Sequence, residues 1–212
     1  GPARMQQMFT KLGFATRPDV ELRERGRPLW PRYWARTTVM TTAYGHGIAV
    51  TPLHLASAYA AMVNGGIWRP ATLMKLAPAD VPRGRRVFKE STSSRMRQML
   101  RMISLYGTGK SADAPGYRVG GKTGSAEKAG VGGYNKTKLV SSFAAAFPMD
   151  APRYVVVVVI DIVAFIVIPR GRKPTAAMAW LLLALVFAQI ALGGAEHGIL
   201  LVVLLARELR HA

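Results

Sequence analysis

The chain has 212 residues, with 29 Lys+Arg against 11 Asp+Glu, a formal net charge of +18, and no cysteine. That length permits one ordinary domain with an appendage. The charge suits nucleic acid, anionic lipid or an acidic polymer equally, and the absent cysteines exclude disulfides and thiolate metal sites. The basic residues are scattered, the densest groups being Arg23/Arg25/Arg27, Arg83/Arg85/Arg86, Arg95/Arg97/Arg101 and Arg170/Arg172/Lys173. No finger spacing, aromatic RNP strand or basic-zipper heptad accompanies them, so they read as solvated faces and no nucleic-acid partner is expected. The opening on Gly1, without a signal-peptide pattern, leads us to expect a fragment.

In chain order, Met5, Met8, Phe9 and Leu12 recur at helical spacing before Gly13 and predict a short helix. From Ala15 to Thr42 no period persists among Pro18, Pro28, Pro31 and several arginines, which predicts a long irregular connection. Thr51 is a suitable N-cap, Pro52 fits the first helical position and Asn64-Gly65-Gly66 ends the run, predicting a helix with a buried stripe of Leu53, Ala56, Ala60 and Val63. A third helix is expected after a Ser91-Thr92 cap, with Met96, Met99, Leu100 and Ile103 on its apolar side and the methionines as core filler, until Gly107 and Gly109.

Beyond Pro115-Gly116 the pattern becomes extended: Tyr117 to Glu127, Leu139 to Phe147 and Arg153 to Asp161, joined through Gly132-Gly133 and through Pro148 to Pro152. Neighbouring antiparallel strands follow, and the β-branched run Val155 to Val159 predicts a strand buried on both faces. Helices first and strands later make an α+β layer structure. Residues 176–195 carry only Gln189 as a strongly polar side chain and are long enough to cross a bilayer, with Arg170, Arg172 and Lys173 favouring a cytoplasmic end before them. Gly198 to Ala206 is apolar but too short to span alone, and a buried helical hairpin turning near Gly193-Gly194 is the other reading of both stretches.

Chemistry concentrates at Lys122-Thr123-Gly124-Ser125 on the first predicted strand. Around it stand Gly107-Thr108-Gly109, Gly116-Tyr117-Arg118-Val119-Gly120-Gly121, Ala126-Glu127-Lys128, and earlier Tyr44-Gly45-His46-Gly47 leading into Thr51-Pro52-Leu53-His54-Leu55-Ala56. In that order and at those separations they resemble class B penicillin-binding proteins of the division type, the peptidoglycan transpeptidases, across Gly1 to Asp161. The resemblance implies the C-terminal half of a penicillin-binding/β-lactamase-like transpeptidase domain over residues 1–161, followed over 162–212 by a hydrophobic helical tail. It implies peptidoglycan stem peptides and β-lactam antibiotics as ligands, cell-division proteins as partners, and a domain facing the periplasm from the bacterial cytoplasmic membrane.

In that family the reaction needs a serine in a Ser-x-x-Lys helix, a Ser-x-Asn loop and a Lys-Thr-Gly strand. The resemblance assigns Lys122 a positive charge at the site, Thr123 and Ser125 hydroxyls for a substrate carboxylate, Gly124 close backbone approach, and the Ser125 N–H half of an oxyanion hole. Catalytic residues are expected to be absent. The one Ser-x-x-Lys string, Ser125-Ala126-Glu127-Lys128, overlaps the strand, where no helical turn brings lysine beside serine. Gly107-Thr108-Gly109-Lys110-Ser111 imitates a phosphate loop, but Ser104 holds the earlier glycine position and a helix precedes it. His46 and His54 lack metal-pair spacing, so no metal or cofactor is expected and structural roles are.

Past Asp161 the sequence leaves the family's pattern. Phe165 to Pro174, running into Ala177-Met178-Ala179-Trp180, faintly resembles the membrane hairpin of cardiolipin-synthase-like phospholipases. A crossing that begins before the basic turn would use Tyr154 to Ile168, removing the third strand from the sheet and placing Asp161 in lipid. Two readings therefore stand: a transpeptidase segment inactive by itself, and a non-enzymatic membrane polypeptide whose tail is the durable feature.

Overall fold

The computed structural model describes residues 1–130, 133–161 and 200–205, with the side chains of 128–139 and of 160 onward left out of the description. Helix α1, Pro2–Lys11, has proline in its first turn and a lysine in its last, as the charge distribution of a helix favours. Gly13 follows at φ +85°, and a Cβ there would lie 3.2 Å from the Trp68 ring. The stretch expected to be irregular contains a second helix, α2, Arg36–Ala43. Five of its eight residues are threonine or valine, poor helix formers, and only Thr42 is buried, so no apolar period betrays it. Its approach is held by a ring cluster, with Trp30 and Trp34 centroids 5.2 Å apart and Phe9 6.3 Å from Trp34.

Helix α3, Pro52–Val63, starts where the sequence places it. The His54 N–H donates to Thr51 Oγ1 at 3.3 Å while the Thr51 N–H donates to His54 Nδ1 at 3.2 Å, a reciprocal cap with histidine where glutamate usually stands. With Nδ1 accepting, Nε2 carries the proton and donates to the Thr16 carbonyl at 2.9 Å. The burial pattern differs from the expected stripe. His54, Ala56, Ala58, Ala61 and Val63 are buried, whereas Leu53 and Ala60 are half-buried. Two cores explain this: Ala56 and Val63 join the sheet-side cluster with Leu100, and Ala58 and Ala61 join Leu12 and Phe14 on the other side. A helix packed on both sides cannot show a single stripe.

Past Asn64, Gly65 and Gly66 at φ +93° and +95° turn the chain into a small ribbon of β1, Ile67–Trp68, and β2, Arg85–Arg86. A Cβ on Gly66 would sit 2.1 Å from the Phe88 carbonyl oxygen, so only glycine fits. Helix α4, Glu90–Tyr106, has Lys89 as N-cap and no side-chain cap, rather than the expected Ser91-Thr92. The nearby serine serves its neighbour instead. Ser93, 1% exposed, donates to the Met62 carbonyl at 2.6 Å and accepts from the Gly65 N–H at 3.0 Å, satisfying the end of α3. Leu100 is buried, but Met99 and Met102 are 50% and 57% exposed, which corrects their reading as core filler. Met149, between strands, is the buried methionine among the described residues.

Strands β3, Gly120–Gly130, β4, Gly133–Phe147, β5, Tyr154–Asp161, and β6, Leu200–Leu205, form one antiparallel sheet in the order β3-β4-β5-β6. Tyr117 falls short of the strand, because Gly116 at φ +86° and Arg118 at φ 48° make a turn first. Val155 and Val157 are fully buried while Val156, Val158 and Val159 are half-buried, so β5 buries one face rather than both. Opposed residues share a face, which places Ala144 with Val157 and Ala146 with Val155 beneath α3 and α4. The β6 strand corrects the helical tail for residues 200–205: a run of Leu and Val pairs with β5 instead of coiling. Because β5 lies in the sheet, Tyr154 to Asp161 does not belong to a membrane crossing. No helix among the described residues is long and apolar enough to cross a membrane; residues 176–195 lie outside them.

Two consequences are measurable. Ser93→Ala strands a buried N–H and carbonyl and should lower unfolding stability by about 1–3 kcal/mol in urea titrations. Burial holds the His54 imidazole below its ordinary pKa, the Thr16 carbonyl opposing this less strongly. The unfolded chain therefore takes the proton first, and this contribution is present above about pH 6.5 and lost as pH falls toward the folded-state pKa. His54→Gln should flatten that acid limb of stability against pH.

Candidate functional site

Two glycines admit β3 to its place. A Cβ on Gly120 would come within 2.6 Å of Met149 and 3.0 Å of the Arg101 backbone nitrogen, and one on Gly121 within 2.6 Å of the Phe143 ring. The strand therefore lies tight against α4 and β4 at the point where the Lys-Thr-Gly run begins. Arg101 fixes the approach by pairing with Asp113 and donating from Nη1 to the Val119 carbonyl at 2.7 Å.

Lys122 stands opposite Ala144, on the face that carries α3 and α4, but at the edge of the sheet, where its side chain is exposed. Its Nζ folds back on the strand, donating to the Thr123 carbonyl at 2.7 Å and to Thr123 Oγ1 at 3.4 Å. Thr123 Oγ1 in turn lies 2.9 Å from Thr108 Oγ1. Gly124 passes close to Ser142, whose Oγ donates to the Gly124 carbonyl at 3.4 Å, and a Cβ on Gly124 would lie 2.7 Å from that oxygen. Ser125 is exposed farther along the same edge. An ammonium and two hydroxyls thus converge on a strand that is at the sheet edge among the described residues, an arrangement that suits an extended peptide ending in a carboxylate.

Of the four residues singled out from the sequence, Lys122 and Thr123 come together, while Gly124 and Ser125 continue the edge. Thr108 belongs to this cluster as a contacting side chain, which the motif alone does not reveal. The Gly-Thr-Gly after α4 gives the only sequence signal for it: the Gly107 and Gly109 N–H groups both donate to the Ile103 carbonyl, at 2.9 and 3.2 Å, and so hold Thr108 at the helix end. The two decoys behave as their context requires. Ser125 to Lys128 runs along a strand with no helical turn between them, and Gly107 to Ser111 follows a helix. His54 is a cap and tether, and the His46 ring packs 5.3 Å from Tyr44. No group of three metal-capable side chains occurs among the described residues. A cavity of about 400 Å³ is lined by Leu12, Thr16, Arg17, His54, Trp68 and Arg85 among others, and shares no residue with the β3 edge.

Residues 1–177 match the family described as the penicillin-binding protein transpeptidase domain, and the chain belongs to that family. Among curated relatives, it is 46% identical over 170 residues to the "Probable peptidoglycan D,D-transpeptidase FtsI" of Caulobacter vibrioides, covering 76% of this chain and 29% of the relative. It is 35% identical over 156 residues to the peptidoglycan D,D-transpeptidase FtsI of Escherichia coli K12, covering 72% and 26%. The transpeptidase domain of penicillin-binding protein 3 from Burkholderia pseudomallei matches with a TM-score of 0.70 and 38% identity, covering 76% of this chain and 49% of that one. Penicillin-binding protein 3 of Mycobacterium tuberculosis, complexed with ampicillin, matches with a TM-score of 0.68 and 28% identity over 93% of this chain and 47% of that one. The chain therefore spans less than a third of the length of these curated relatives and about half of these solved chains.

Proposed function

We propose that this chain supplies the substrate-gripping edge of a peptidoglycan D,D-transpeptidase and takes no part in forming the acyl-serine by itself. The observation that carries the reading is the exposed Lys122 ammonium beside the Thr123–Thr108 hydroxyl pair on an open sheet edge. A D-Ala-D-Ala stem peptide is an extended ligand ending in a carboxylate, and a β-lactam presents a carboxylate beside a strained acyl group; both suit a cation next to a strand edge. Lys122 supplies the charge, Thr123 and Ser125 the hydroxyls, Gly124 the close approach, and the Ser125 N–H one oxyanion donor. The names of the relatives, and the ampicillin and aztreonam complexes of the Mycobacterium tuberculosis protein, support that ligand class. Cross-linking needs an activated serine, and Ser-x-x-Lys occurs in these residues only on β3. The nucleophile would come from another segment of the same enzyme. On the same reading the domain faces the periplasm from the bacterial cytoplasmic membrane, with cell-division proteins as neighbours.

Fluorescent penicillin tests this. The 212-residue chain alone should show no covalent band; co-expressed with a segment bearing a Ser-x-x-Lys helix and a Ser-x-Asn loop, the label should appear on that segment. Lys122→Ala should then slow acylation by about 10²-fold, the size of losing one preorganised charge contact. A covalent band on this chain alone, or labelling indifferent to Lys122, overturns the reading.

A second reading rests on the apolar composition of residues 176–195: a non-catalytic polypeptide anchored in a membrane. Alkaline carbonate separates the two, since a spanning tail keeps the chain in the membrane pellet whereas a peripheral chain is released.

A further inference from the structure

The cavity of about 400 Å³ lies between the end of α1, the connection that follows, the first turns of α3 and the ribbon, and falls in the size range of small-molecule sites. It shares no residue with the β3 edge, so nothing proposed for Lys122 accounts for it. Three guanidinium groups, Arg17, Arg25 and Arg85, line it against one carboxylate, Asp19. Among the described residues none of these four charges forms an ion pair. Two of the arginines are placed by backbone carbonyls instead. Arg25 Nη1 donates to the Pro18 carbonyl at 3.3 Å, and Arg85 Nε donates to that of Lys11 at 2.8 Å while its guanidinium carbon stands 3.9 Å from the centroid of the Trp68 ring. His54 also lines the cavity, but its ring nitrogens are engaged with Thr51 and Thr16.

Like charges gathered in one concavity repel each other and focus a positive field into it, and a bound anion relieves the repulsion. The unspent hydrogen bonds have the same sign. Arg25 Nε and Trp68 Nε1 are buried without an acceptor among the described residues, and both can only donate. With Nη1 on the Pro18 carbonyl, the Nε–Nη2 edge of Arg25 is the one left for a two-pronged contact. Leu12, Leu53 and Ala71 supply apolar wall. From this placement we propose that the cavity binds a small oxyanion, a carboxylate or a phosphate group, carried on an apolar body. Arg25 turns its Nε–Nη2 edge to the oxyanion, since Nε is otherwise covered. Arg85, held against Trp68, adds charge beside it, and the body of the ligand lies along the leucines.

Phenyl phosphate and benzoate present the two oxyanions on one flat ring, and benzyl alcohol is the uncharged control. In a nuclear magnetic resonance titration of the isotope-labelled chain, the Arg25 Nε–H and Trp68 Nε1–H signals should shift saturably with at least one of the two anions and stay in place with benzyl alcohol. The anion that saturates at the lower concentration tells phosphate from carboxylate. Arg25→Gln should weaken that binding by about tenfold or more, the size of losing a hydrogen bond to a charged group. Arg95→Gln removes the same charge from the exposed side of α4, outside the cavity, and should leave binding as it is. Ser57→Leu keeps every charge but fills the space, and should abolish it. Equal weakening by Arg25→Gln and Arg95→Gln, the mark of general attraction to a basic surface, overturns the proposal. So does binding that survives Ser57→Leu, an equal response to benzyl alcohol, or no saturable shift with either anion.

Discussion

The structure depends on small side chains at one interface, where Ala144 and Ala146 of β4 and Val155 and Val157 of β5 meet Ala56, Val63 and Leu100 of α3 and α4. Alanine on both sides lets the helices approach the sheet closely, and a close-packed contact of this kind tolerates little change in volume. Everything at the site inherits its position from it. Once Ala144 faces the helices, the antiparallel register puts Lys122 on the same face, and the strand order leaves that lysine at an edge rather than in the middle.

The polar interactions around the interface finish what the apolar ones begin. Ser93 reaches from α4 to the last turn of α3, and Arg101 reaches from α4 to Asp113 and the Val119 carbonyl just ahead of β3. Helix α4 is thus tied at one end to its neighbouring helix and farther along to the strand that carries Lys122. Thr108, at the end of the same helix, is delivered to Thr123 by a turn in which two glycine N–H groups share the Ile103 carbonyl. One helix therefore connects the core, the entry to the strand and one hydroxyl of the cluster.

The asymmetry of the sheet edges follows the same logic of satisfying or exploiting backbone groups. At β3 the edge runs beside a cation and hydroxyls, groups that the proposed extended anionic ligand would need. At β5 an edge flanked by valines has only apolar character to offer, and it is closed by an apolar strand. The chemistry of the flanking side chains separates a polar edge from an apolar one that must be covered.

Local rules made much of this legible from the residues alone. Thr51-Pro52 and Asn64-Gly65-Gly66 bound α3 because capping and left-handed turns depend on single residue types, and the three extended runs appeared as antiparallel strands, although β4 starts at Gly133 rather than at the expected Leu139. Lys122, Thr123, Gly124 and Ser125 were likewise readable as one motif on a strand. Tertiary structure decided the rest, because the deciding partner was distant in sequence. Helix α2 has no period of its own, Ser93 caps a helix 31 residues away from its carbonyl partner rather than its own, and Leu200–Leu205 became a strand only because β5 offered an edge. A run of leucine and valine is compatible with helix, strand or bilayer, and burial against a particular surface selects among them.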